Sequence, residues 1–234
     1  MAELEWRDEL IPVSTRFDDP YYSCEDGRAE TDYVFIGGNN LIKRWPNLSS
    51  CTIAELGFGT GLNFLQTVFQ WQKHKSENAK LHFVSFEQFP LDSSSLEKAL
   101  SAWPDLKPLA DRLLDSWCNS PDIVETDFSQ GIKLVVHLGD ANKLLRKLGF
   151  KADAWYLDGF SPAKNPELWN ESLMKEVAEH TVVDGTFATY TAAGYVRRGL
   201  SAAGFEVQKT KGFGSKRDML TGRLVHDIHV ADRH

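Results

Sequence analysis

Ala54-Glu55-Leu56-Gly57-Phe58-Gly59-Thr60-Gly61-Leu62-Asn63 carries a short apolar run through three glycines into a segment with helical spacing. Residues 51–56 read as a buried strand and 62–75 as a helix, so the glycines form a strand-to-helix turn. Glycine lets the backbone turn tightly and approach a ligand closely. The dinucleotide fingerprint G-x-G-x-x-G needs a third small residue where this chain has the bulky Leu62, which argues against a nicotinamide or flavin site. No Gly-Lys-Ser/Thr follows, so the loop is not a phosphate-cradling P-loop. Glu55, just before the first glycine, suits a ligand with a cationic amine rather than a phosphate. Gly57, Gly59, Gly61, Asn63 and Glu55 are therefore the candidate cofactor-binding residues of this turn.

Outward from the loop, strands and helices alternate. Strands are expected at 81–87, 132–138, 153–157 and 186–190, with helices at 93–103, 141–148, 167–180 and 194–203. That order means βαβ units and a mostly parallel, Rossmann-like α/β sheet. Two last strands, 205–210 and 219–225, have no helix between them and should pair antiparallel across Gly212-Phe213-Gly214. Pro104, Pro108 and Pro121 interrupt 104–131, which reads as an insertion with a helical turn at 109–117. The first 48 residues are rich in aromatic and turn residues. Short β segments at 21–23 and 31–36, joined through Asp26-Gly27, suggest a small β-rich cap packed on the main unit. The expected division is a cap at 1–48, the main domain at 49–225 and a tail at 226–234.

At 234 residues, with 42% hydrophobic and 25% charged side chains, the chain suits one large domain with a real core. No apolar run is long enough for a membrane span, and the acidic start lacks the features of a signal peptide. Cys24, Cys51 and Cys118 are odd in number and widely spaced, against a disulfide framework or a zinc site. His226, His229 and His234 lie in the tail without supporting acids, so no metal is expected. A cytoplasmic monomer is the resulting expectation. The net charge is −7, but residues 191–223 carry +5, leaving −12 on the rest. A solvated surface explains such a patch, and so does contact with a phosphate backbone.

The acid, glycine loop, strand and helix together resemble motif I of the class I S-adenosylmethionine-dependent methyltransferases. In an open α/β sheet the ligand lies beyond the carboxyl ends of the strands, where three acids stand in turn. Glu87 is suited to accept from the ribose hydroxyls and Asp140 from the adenine amino group; Asp140 equally suits a helix N-cap. Asp158 opens Asp158-Gly159-Phe160-Ser161-Pro162-Ala163-Lys164-Asn165-Pro166, a rigid loop. Transfer of a methyl group needs an amine lone pair aligned with the methyl carbon. A carboxylate accepting an amine hydrogen fixes that alignment and stabilises the developing ammonium. Asp158 is the candidate for this role, with Phe160 as wall or base-stacking platform.

This loop, together with Ser85-Phe86-Glu87-Gln88-Phe89-Pro90, Phe17-Asp18-Asp19-Pro20-Tyr21-Tyr22-Ser23 and Gly194-Tyr195-Val196-Arg197-Arg198-Gly199-Leu200, resembles the methyltransferase domain of the tRNA-modifying MnmC family. Lys211-Gly212-Phe213-Gly214-Ser215-Lys216-Arg217-Asp218-Met219-Leu220 matches as well, and the likeness runs over nearly the whole chain. It implies S-adenosylmethionine as cofactor and the aminomethyl group of 5-aminomethyl-2-thiouridine, at the tRNA wobble position, as methyl acceptor. It also implies that Asp18 and Tyr21 close the pocket and that Arg197, Arg198, Lys211, Lys216 and Arg217 contact the tRNA backbone. Longer members carry an FAD-dependent domain that makes the aminomethyl substrate. A methyltransferase for a small-molecule amine and a non-catalytic binding protein are the alternatives, since a fold does not determine a substrate.

Overall fold

The computed structural model describes residues 2–23, 26–117 and 122–225. In chain order, a three-stranded antiparallel sheet comes first: β1 (Leu4–Arg7), β2 (Ile11–Ser14) and β3 (Asp19–Pro20). Helix α1 (Gly27–Glu30), a π-helical segment (Thr31–Gly37) and α2 (Leu41–Arg44) follow. The main unit then runs β4 (Ser50–Leu56), α3 (Leu62–His74), β5 (Lys80–Glu87), α4 (Ser93–Leu100), α5 (Lys107–Ser116), β6 (Ile123–Ser129), β7 (Ile132–Leu138) and α6 (Ala141–Leu144). It ends with β8 (Ala152–Leu157), α7 (Glu171–Glu179), β9 (Thr181–Thr189), α8 (Gly194–Ala202), β10 (Phe205–Lys211) and β11 (Asp218–Leu224).

The eight-stranded sheet has the order β10-β11-β9-β8-β4-β5-β7-β6. Its five central strands are parallel, and β6, β10 and β11 pair antiparallel at the edges. The expected α/β fold and the antiparallel closing strands are both present. Because side chains alternate across a strand, the sheet buries two cores. Ile53, Phe83, Leu134 and Tyr156 pack on one face with Phe64, Leu65 and Trp71 of α3. Leu56, Phe86, Trp155 and Leu157 pack on the other with Met174, Val177 and Leu200 of α7 and α8. From β4 the chain winds first to β5 and β7 and later to β8 and β9, so the switch point lies between β4 and β8. Register sets Leu56 beside Leu157 there, so the glycine loop meets the Asp158 loop.

Three expectations of local structure fail. Residues 31–36 are helical rather than a strand. Asp26 caps α1 through a bond from the Ala29 amide at 3.1 Å, and the helical path continues through Thr31–Gly37. The run Tyr33-Val34-Phe35-Ile36 reads as β by composition, yet Val34, Phe35 and Ile36 all reach the core from a helix. Tertiary packing overrides propensity here. The 104–131 segment, expected as an insertion with one helical turn, holds α5 and a full strand, β6, which pairs with β7 along the sheet edge. The β-rich cap itself exists, but its strands are β1 to β3 rather than 21–23 and 31–36. Cys24, Cys118, Pro121 and the 226–234 tail with its histidines lie outside the described residues. Among the described residues no helix is long and apolar enough to cross a membrane, and no cluster of His, Cys, Asp or Glu could hold a metal ion.

Candidate active site

Beyond the carboxyl ends of β4, β5, β7 and β8 lies a cavity of about 420 Å³, within the roughly 300–1,000 Å³ of small-molecule sites. Its wall includes Gly57, Gly59 and Asn63 of the first loop, Glu87 after β5, Gly139 and Ala141 after β7, and Asp158 and Phe160 after β8. The N-terminal segment adds Phe17, Asp19, Tyr21 and Glu30, and the far end of the chain adds Tyr190, Ser215 and Lys216. Among the described residues the charged groups of this wall are Asp19, Glu30, Glu87, Asp158 and Lys216. Four acids against one ammonium favour a cationic ligand.

The loop glycines are required by space as well as by dihedral angle. Gly57 has φ +86°, and a Cβ there would stand 3.0 Å from the Gly159 Cα. Gly59 has φ +53°, and a Cβ would meet the Tyr21 ring at 3.1 Å. Gly61 is the N-cap position of α3 and is turned away from the cavity. Leu62, which breaks the dinucleotide pattern, fills the space beside Gly27 of α1.

Asn63, in the first turn of α3, links the acids. Its Nδ2 donates to Glu55 Oε1 at 2.9 Å and to Asp158 Oδ2 at 2.8 Å, while its Oδ1 accepts from Thr31 Oγ1 at 2.7 Å. Glu55 is fully buried, takes a second bond from Ser85 Oγ at 2.7 Å and does not reach the cavity wall. Burial pushes its carboxyl well above the usual range, with the bonds from Ser85 and Asn63 opposing. The direct contact to a ligand amine expected of Glu55 is therefore replaced by support of Asn63 from beneath. Burial also raises Asp158, to about 7; the Gly159 amide and Asn63 pull the other way and the charge of Glu30 adds to the rise.

Glu87 accepts from the Gly59 amide at 2.8 Å and the Phe89 amide at 2.7 Å. Burial raises its pKa against these bonds. Asp140 is a helix cap: its Oδ1 accepts from the Asn142 amide at 3.0 Å, and the wall at this strand end is Gly139 and Ala141 instead. This cap bond lies two residues along the chain and is always in reach.

The acid that closes the pocket is Asp19, not Asp18. Asp19 Oδ2 accepts from the Ser161 amide at 2.8 Å, whereas the Asp18 side chain is 90% exposed and points to Lys164 from outside. This bond pins the β2–β3 turn over the loop after β8. Phe17 then stacks on Phe160, centroids 4.6 Å apart, and Tyr21 meets Phe160 edge-on at 5.0 Å. Burial raises the Tyr21 phenol, with Glu87 adding to the rise.

The basic residues divide. Arg197 and Arg198 are exposed on α8, whose Tyr195 hydroxyl donates to Pro162 O at 2.9 Å beside the cavity loop. With Lys211 they have no carboxylate within ion-pairing distance among the described residues. Arg217 is exposed and lies 3.8 Å from Asp218. Lys216 reaches the cavity itself: its Nζ donates to Glu30 Oε1 at 2.8 Å and lies 4.1 Å from the Tyr190 ring centroid. Glu30, Asp19 and Tyr190 escaped the sequence reading. Asp19 was visible as half of an acid pair; Glu30 and Tyr190 carry no local signal.

Residues 104–225 match a family of S-adenosyl-L-methionine-dependent methyltransferases. The chain belongs to this family. Its cofactor is S-adenosyl-L-methionine, and the acid-rich wall fits a ligand that carries sulfonium and ammonium charges. Among curated relatives, the "tRNA 5-methylaminomethyl-2-thiouridine biosynthesis bifunctional protein MnmC" of Methylobacillus flagellatus is 46% identical over 99% of this chain. The protein of the same name from Marinobacter nauticus is 46% identical over 95%. This chain spans 36% of the length of each. The crystal structure of MNMC2 from Aquifex aeolicus shares the fold, with TM-score 0.76 at 24% identity over 97% of this chain and 72% of that one. Spermidine synthase from Thermotoga maritima shares it more loosely, with TM-score 0.54 at 14% identity over 94% and 71%.

Proposed function

We propose that this methyltransferase acts on the aminomethyl group of 5-aminomethyl-2-thiouridine at the tRNA wobble position, giving 5-methylaminomethyl-2-thiouridine. The observation that carries this reading is Asp158, a carboxylate on the cavity wall at the switch point, in a chain 46% identical to MnmC over 99% of its length. Bound in the cavity, S-adenosylmethionine supplies a methyl group on a sulfonium centre. Gly57, Gly59 and Asn63 would line its methionine part and Glu87 its ribose, with Gly139 and Ala141 shaping the adenine end.

Asp158 accepts a hydrogen from the acceptor amine and so directs the nitrogen lone pair. With the cofactor bound, the ionised Asp158 would stabilise the positive charge that develops on the acceptor nitrogen as it takes up the methyl group. Asn63 holds Asp158 in orientation, and Glu55 holds Asn63. Phe160, stacked on Phe17 and crossed by Tyr21, forms an aromatic wall for the base, which must leave its stack to enter. The acid-rich cavity repels phosphate, so the tRNA backbone stays at the rim. Arg197, Arg198, Lys211 and Arg217 are the contacts proposed there, in a cytoplasmic enzyme. A flavin-dependent oxidoreductase, as a fused domain or a separate enzyme, is proposed to supply the aminomethyl substrate.

The test is transfer of label from S-adenosylmethionine to tRNA bearing 5-aminomethyl-2-thiouridine, with unmodified tRNA as control. Label on the aminomethyl tRNA alone supports the reading. Cofactor binding without transfer to that tRNA refutes it and leaves a methyltransferase for a small-molecule amine or a non-catalytic binding protein.

A further inference from the structure

Lys216 is out of place among RNA-facing cations. It sits in the turn between β10 and β11, where its amide donates to Phe213 O at 3.0 Å, and its partly exposed side chain lies on the cavity wall. There it meets a carboxylate at hydrogen-bond distance and the face of an aromatic ring, the two surroundings an alkylammonium favours. Its partner Glu30 is the more buried of the two, with a side chain 13% exposed against 43% for Lys216. Glu30 is also fixed from behind, its Oε2 accepting from the Ser23 amide at 3.2 Å. The aromatic face belongs to Tyr190, which is held by a bond from its hydroxyl to Gly159 O at 2.8 Å, next to Asp158. A rigid carboxylate and a rigid ring thus hold a flexible cation on the same wall as Asp158. The charges of Glu30 and Lys216 act in opposite directions on the Asp158 proton, so both lie within electrostatic reach of it.

We propose, building on the aminomethyl-tRNA reading, that Glu30 is a specificity-determining residue for the acceptor and that Lys216 is its resident counter-ion. The acceptor enters as an alkylammonium, displaces Lys216 from Glu30 and takes its place between Glu30 and Asp158 over Tyr190; it then releases one proton to solvent, which frees the nitrogen lone pair for transfer. The freed Lys216, on a long and partly exposed side chain, turns outward to a phosphate of the same tRNA. One ammonium replaces another on Glu30, so the acidic wall is never left uncompensated. A uridine without the aminomethyl group brings no cation, cannot displace Lys216 and is discriminated against at binding. The same exchange couples selection of the base to engagement of the backbone.

The experiment compares the affinities of two tRNAs, one with 5-aminomethyl-2-thiouridine and one with 2-thiouridine at the same position. It uses the wild type, Glu30→Gln and Lys216→Met, each with S-adenosylhomocysteine bound. The wild type should prefer the aminomethyl tRNA by about tenfold or more, as a charge-assisted bond to the ammonium implies. Glu30→Gln should bring the two affinities together. Lys216→Met should keep or widen the preference, since the competing cation is gone. It should also lower the slope of log K against log salt by roughly 0.7–0.9, the loss of one phosphate contact. The ratio between two tRNAs on one variant is insensitive to partial misfolding. A retained preference in Glu30→Gln, or a lost one in Lys216→Met, overturns the proposal, as does a wild type that methylates the aminomethyl tRNA without preferring it. Failure of the wild type to methylate that tRNA at all would instead overturn the functional reading on which the proposal rests.

Discussion

Replacing Asp158 by asparagine should abolish methyl transfer and yet stabilise the fold, by an amount that grows with pH. The carboxyl is raised from 3.8 to about 7, chiefly by burial. Below the lower value both folded and unfolded chains hold the proton, and the group does not affect stability. As pH rises towards the upper value the unfolded chain ionises and the folded chain does not, so folding is progressively penalised. With about 3 pK units of separation and about 1.4 kcal/mol per unit, the full penalty is about 4 kcal/mol. Integrating between pH 5 and pH 8, about 2–3 kcal/mol of it appears within that interval. Asparagine keeps an oxygen for Asn63 Nδ2 to bond and carries no charge, so the penalty is removed. Urea unfolding of both proteins at the two pH values measures it. The mutant should gain about 2–3 kcal/mol more at the higher pH than at the lower. A difference between mutant and wild type that stays flat across that range would refute the raised pKa and the poised carboxylate with it.

Methyl transfer should follow the ionised fraction of Asp158. The rate under single-turnover conditions is expected to rise with pH and level off above about 7; a profile already level at pH 5.5 contradicts it. Glu87→Gln should weaken S-adenosylmethionine binding by about ten- to a hundredfold, the scale of a lost charged hydrogen bond, as read by calorimetry; unchanged affinity removes the ribose role. Gly57→Ala forces a side chain into φ +86° and against Gly159. It should cost about 1–3 kcal/mol in urea unfolding, and a neutral result would show that the loop relaxes freely. Charge reversal at Arg197 and Arg198 should weaken tRNA binding and flatten its salt dependence; an unaltered slope assigns both residues to plain solvated surface.

The parallel sheet, the glycine turn and the antiparallel ending were all legible from local pattern, because each depends on hydrophobic period and turn chemistry within a few residues. The same locality misled at 31–36, where an aromatic and β-branched run with strand composition lies in a helix. It also hid β6, which forms because β7 offers an open edge.

In the site, the sequence by itself determined that acids follow successive strands and that Gly57, Gly59 and Asn63 lie at the switch point. Tertiary structure decided what each acid does. Glu55 and Glu87 face one side of adjacent strands, but Glu55 is sealed under Asn63 while Glu87 reaches the cavity. Asp140 turns to its own helix, and Asp19 rather than Asp18 ties the cap to the Ser161 loop. Glu30 and Lys216 are 186 positions apart and meet at 2.8 Å. Chemistry of type and spacing is written locally, whereas a carboxylate's partners, burial and proton affinity depend on which distant segments fold around it.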